Sequence, residues 1–114
     1  MPFALAGQNL SIAGEWCTDT TPSDCIKITP TSSDGEQFSA ELTRGQGGRV
    51  YSQGMGYFRR GQAVFAFRRV DIADHGFMVM LVEKANLARG RSFNPDGSAR
   101  WRGNYVRKSG AARR

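Results

Sequence analysis

The 114-residue chain has a single histidine, two cysteines and four prolines, and its longest apolar run, from Phe77 to Val82, is six residues long. A membrane-spanning helix needs roughly 20 such residues, so none is expected. His75 with Cys17 and Cys25 falls short of the four ligands of a structural metal site, and no metal is expected. Asp74 and His75 are neighbours without an identifiable nucleophile, and nothing fixes Asp71 and Asp74 as a catalytic carboxylate pair. No catalytic residue is therefore assigned, no cofactor is expected, and the chain reads as a binding protein more readily than an enzyme. The opening residues Met1 to Ala6 have neither a basic start nor a long apolar stretch, so they do not read as a signal peptide.

Negative charge is scarce in the second half. The net charge is +6, but residues 1–58 carry −3 and residues 59–114 carry +9. A cationic C-terminal half attracts anionic partners, whether nucleic acid, acidic lipid headgroups or carboxylate ligands. The same asymmetry also fits a solvated face in an arginine-rich composition, since 13 of the 16 basic residues are arginine.

Helical periodicity is absent as well. Eight short stretches with period-two alternation or β-rich composition cover 11–18, 25–31, 36–43, 49–58, 62–70, 77–84, 87–93 and 99–108. The cleanest is the third, with Phe38, Ala40 and Leu42 opposing Gln37, Ser39 and Glu41. Turn residues separate the stretches, most clearly Asn94-Pro95-Asp96-Gly97, where proline presets one turn dihedral and glycine is free to take positive φ. Short antiparallel strands joined in sequence leave two open edges, and pairing the first with the last removes both. The expected fold is all-β, a single eight-stranded antiparallel up-and-down barrel over 11–108, with an N-terminal extension at 1–10 and a basic tail at 109–114.

If the first two strands form a hairpin, Trp16 and Ile26 share one face while Cys17 and Cys25 share the other, so the two sulfurs can meet. A disulfide there implies an oxidising compartment, periplasmic or extracellular; two free thiols imply the cytoplasm. Both readings stand at this stage.

Gly14-Glu15-Trp16 on the first strand resembles the Gly-x-Trp signature of the calycin superfamily, which includes lipocalins, fatty-acid-binding proteins and avidins. The resemblance implies a lipocalin- or avidin-like barrel whose Trp16 seals one end, with a basic residue of the last strand, Arg102 or Arg107, stacked across the indole. It also implies a tendency to hold a ligand.

An eight-stranded barrel is either filled by side chains or holds one small molecule. Inward candidates for a ligand site are Tyr51, Tyr57, Phe67, Arg89, Arg91, Trp101 and Tyr105, with Met55 and Leu87 on the same expected faces. Arginines inside a barrel need carboxylate or phosphate partners, so the expected ligand is a small anionic or amphipathic molecule, held inside or at the rim. A one-residue slip would turn Arg89 and Arg91 to solvent. A second reading is nucleic-acid binding through the interleaved basic and aromatic residues of the last strand. A third is a protein-binding or inhibitor module, or self-association, through the strand from Phe77 to Val82, which is apolar on both faces.

Overall fold

The computed structural model describes residues 11–20, 24–45 and 48–109. Eight strands follow one another: β1 (Gly14–Thr18), β2 (Cys25–Pro30), β3 (Gln37–Arg44), β4 (Arg49–Arg59), β5 (Gln62–Arg69), β6 (His75–Lys84), β7 (Leu87–Phe93) and β8 (Ala99–Ser109). Each pairs antiparallel with the next, and β1 pairs with β8, so the meander closes into a barrel. The expected strands are all present. β1 starts later than expected, at Gly14, and β6 starts earlier, at His75. The expected extension at 1–10 and the tail beyond 109 lie outside the described residues.

Closure follows from local chemistry. Between β4 and β5 the chain reverses through Arg60 and Gly61, both at positive φ (53° and 81°), the two-residue turn whose twist matches that of paired strands. Alternation then sends every second side chain inward. Phe38, Phe65 and Met80 meet inside, with the Phe38 and Phe65 rings edge to face at 5.7 Å. The outer wall carries Lys27, Gln53, Arg68, Arg89, Arg91 and Arg102, all exposed. The apolar interior is the reverse of the polar lumen of a barrel that faces lipid all round.

In the first hairpin, Trp16 faces Ile26 and Cys17 faces Cys25, as the spacing predicts. The two cysteines form a disulfide across the hairpin. Tying strand to strand at this point limits the unfolded chain and fixes the register of β1, the shortest strand.

Several residues expected inside face outward. Met55 is 72% exposed and Tyr57 57%, and Arg89 and Arg91 lie on the solvent side of β7. The reason is steric. The inward positions of β4 between Ser52 and Phe58 are Gly54 and Gly56, where a Cβ would lie 2.0 Å from the Ala66 and Val64 carbonyl oxygens of β5. On β7 the inward positions are Ala88, Gly90 and Ser92. Where glycine holds the inner face, the large side chains of the same strand are the outer ones. Leu87, half-buried, lies at the start of β7. Arg89 ion-pairs with Glu83 at 3.0 Å on the surface.

Candidate functional site at the barrel mouth

The two ends of the barrel differ. One is sealed: the Arg107 guanidinium stands 4.1 Å from the centroid of the Trp16 ring, and Trp16 is fully buried. The indole N–H donates to the Ile12 carbonyl at 2.9 Å. Arg107 donates to the carbonyls of Ser11, Ala13 and Ala85. Burial pushes its pKa down, and the three carbonyls with the indole face replace the water it has lost. Of the two expected partners for Trp16, Arg107 makes the contact, while Arg102 is exposed on the outer wall.

The other end is open. A cavity of about 250 Å³ lies there, with Leu42, Phe67, Met78, Ser92 and Tyr105 below and Tyr51 and Trp101 at its mouth. Larger open depressions of about 690 and 660 Å³ lie on the outer wall, where convex strands leave troughs between exposed side chains. Volume alone does not mark the site; convergence of inward polar groups does.

Two irregularities build the mouth. Leu42 pairs with Ser52 and Thr43 with Val50, which leaves Tyr51 as an extra residue in β4. Ser92 pairs with Trp101 and Phe93 with Ala99, which leaves Arg100 extra in β8. Such bulges re-aim side chains. Tyr51 packs against the core and lines the cavity, with the guanidiniums of Arg44 and Arg69 4.2 and 5.2 Å from its ring centroid. Arg100 reaches 5.7 Å from the Phe67 ring centroid and ion-pairs with Asp74 at 3.0 Å.

The floor owes its shape to two glycines paired across β7 and β8, Gly90 and Gly103. A Cβ on Gly103 would fall 2.4 Å from the Trp101 ring, and one on Gly90 would fall 2.6 Å from the Tyr105 ring. The missing side chains let the Trp101 indole fold over its own strand and meet Tyr105 edge to face at 5.5 Å.

The rim holds three arginine–aspartate pairs of unequal strength. Arg69 holds Asp71 with two hydrogen bonds of 3.0 and 2.9 Å, which keep the Asp71 carboxyl below the usual carboxylate range. Arg100 is fully engaged by Asp74, Asn94 and the His75 carbonyl. Arg44 touches Asp24 at 3.5 Å only, and its side chain is 57% exposed. Arg44 is thus the rim cation best able to meet a ligand.

Inside, Tyr105 is 5% exposed, and burial raises its pKa far above the ordinary tyrosine value, so its hydroxyl remains a donor. Ser92 is 4% exposed. Both line the cavity, and neither side chain has a hydrogen-bond partner among the described residues. Ser52, by contrast, donates to the Arg68 carbonyl at 2.8 Å.

Of the residues singled out from sequence, Tyr51, Phe67, Trp101 and Tyr105 come together here, whereas Tyr57, Arg89 and Arg91 lie outside. Sequence reasoning missed Ser92, Arg44, Arg69 and Arg100. Ser92 was legible in principle, two positions from Gly90 on the same face; Arg100 was not, because alternation places it outward and only the bulge turns it. On the outside of the first hairpin the Glu15 carboxylate lies within 4.8 Å of both cysteine sulfurs, which the disulfide withholds from thiolate ligation. Compared with known protein families, curated proteins and solved structures, the chain matches none.

Proposed function

We propose that the protein is a calycin-type binding barrel that holds one small amphipathic ligand in its mouth, apolar ring inward and anionic or hydrogen-bonding head toward Arg44. The observation that carries this reading is the cavity itself, open at the rim and closed beneath by packed side chains, with the hydroxyl-bearing Tyr105 and Ser92 in its lining and without a side-chain partner among the described residues. No buried side-chain polar atom among the described residues lacks a partner, so both hydroxyls reach the open space of the cavity, where a polar substituent on the ligand's ring can accept from them in place of water. Phe67, Tyr51 and Trp101 offer apolar and aromatic surface to a planar body.

Size restricts the class. The cavity of about 250 Å³ is smaller than the roughly 300–1,000 Å³ typical of sites for drug-sized ligands, and Phe38, Phe65, Met80 and Trp16 fill the barrel beneath it. A long acyl chain has no room, which favours a compact aromatic acid over a fatty acid. Two of the three rim arginines are committed to aspartates, so one anionic head at Arg44 is the charge the rim can accept.

The test is native mass spectrometry of the purified protein, followed by displacement of an environment-sensitive aromatic dye with small aromatic carboxylates. Stoichiometric uptake by the wild-type chain, weakened about tenfold by Tyr105→Phe or Arg44→Ala, is expected. Uptake indifferent to both substitutions would remove the mouth as the site.

A further inference from the structure

The outer wall over β4 to β8 carries an exposed apolar field that merges into unpaired arginines. Cross-strand register lays out its rows. One runs Met55, Ala66, Phe77, Phe93; the next runs Tyr57, Val64, Val79, Arg91, Arg102; a third runs Gln62, Leu81, Arg89, Asn104. Tyr57, Val64, Phe77 and Leu81 are each more than two-fifths exposed, and Met55 more so. The middle row crosses five strands, roughly 19 Å at about 4.8 Å per strand. Isolated exposed apolar residues are ordinary, but a contiguous field across adjacent strands marks an interaction surface.

Arg91 and Arg102 decide what the surface fits. They are directly opposed across β7 and β8, both exposed, and no carboxylate among the described residues pairs with either. Like charges facing one another across a ladder repel, and a shared anion relieves that repulsion. A depression of about 660 Å³ lies between them and the apolar rows, lined by Val79, Leu81, Arg89, Arg91, Phe93 and Arg102.

We propose that the β6–β8 part of this wall docks on an anionic lipid bilayer, with Arg91 and Arg102 bridging lipid phosphates while Phe77 and Leu81 of the neighbouring strand enter the headgroup boundary. Charge complementarity and the exposed apolar Phe77 and Leu81 beside the cations favour lipid. A single-stranded nucleic acid would need a run of open aromatic faces beside the cations, yet Phe93 next to Arg91 is half-buried, Trp101 leans over the barrel mouth, and Tyr57 lies three strands from Arg91. A convex wall also lacks the groove that tracks a strand. The docking surface is separate from the mouth and does not depend on ligand binding there.

The test is co-sedimentation of the full chain with vesicles of phosphatidylglycerol and phosphatidylcholine in equal parts, beside vesicles of phosphatidylcholine alone. The expected result is binding to the anionic vesicles only, weakened about thirtyfold in Arg91→Ala/Arg102→Ala. Phe77→Ser should weaken it as well, while both variants keep the wild-type circular dichroism spectrum. Folded protein that ignores the anionic vesicles overturns the proposal. So does oligonucleotide binding without vesicle binding, or a dimer by light scattering that Phe77→Ser dissolves while vesicles stay unbound.

Discussion

The Arg107 guanidinium lies 4.1 Å from the Trp16 ring centroid and at the same time ties Ser11, Ala13 and Ala85 together through their carbonyls. One side chain on the last strand thus anchors the first strand, the segment before it and the β6–β7 turn. That is a long-range closure written in one residue.

Arg107→Ala should therefore destabilise the fold by about 2–4 kcal/mol, because it removes a buried cation–π contact and strands three carbonyls at once. The expected loss in thermal midpoint is on the order of 10 °C. Arg107→Lys should recover only part of it, since an ammonium cannot spread planar donors over three acceptors. A melting curve for Arg107→Ala that overlays the wild type would show that the closed end does not hold the barrel shut.

Reduction of the Cys17–Cys25 bond, or the Cys17→Ser/Cys25→Ser pair, should cost about 2–3 kcal/mol, in line with the short loop that the bond closes. The barrel should still form, because β1 retains its pairing with β8 and Trp16 its packing. Denaturant titration with and without reductant measures this. An unchanged midpoint would mean that the crosslink constrains nothing the ladder does not already hold.

Strand count, order and closure were legible because alternation and turn chemistry are local, and the sequence of Phe38, Ala40 and Leu42 declares its inner face without help. The inner face of β4 and β7 was not legible, since glycine there leaves no apolar signature, and the large residues Tyr57, Arg89 and Arg91 draw the eye to the wrong side. Half of the candidate site was readable in the same way: Tyr105 and Trp101 follow the period of β8. Of the rim, Tyr51 was among the expected inward residues, whereas Arg100 was not legible, because it owes its direction to a bulge, and a bulge depends on the partner strand rather than on its own neighbours.

Gly90→Ala should push the Tyr105 ring, which a Cβ would meet at 2.6 Å, and with it the Trp101 indole packed against it. The expected cost is about 1–3 kcal/mol, the usual range for overpacking. Tryptophan emission should shift as Trp101 leaves its slot over Gly103, while buried Trp16 stays as it is. Unaltered emission together with unaltered stability would mean that the floor of the mouth yields freely, and its glycines would then have no part in shaping it.

Tyr105 carries a pH signature. Its folded-state pKa is raised chiefly by burial, so the folded chain keeps the phenolic proton where an unfolded tyrosine, ionising near pH 10, gives it up. The stability linked to this group is fully present below about pH 10 and is lost as pH rises above it, at up to about 1.4 kcal/mol per pH unit. Tyr105→Phe keeps the ring and removes the titration. The stability difference between wild type and Tyr105→Phe should therefore stay level through neutral pH and move steadily in favour of the variant above about pH 10. Urea unfolding of both chains in a pH series measures it, and a difference that stays flat to pH 11 would mean that water reaches the hydroxyl and that the floor of the mouth is solvated.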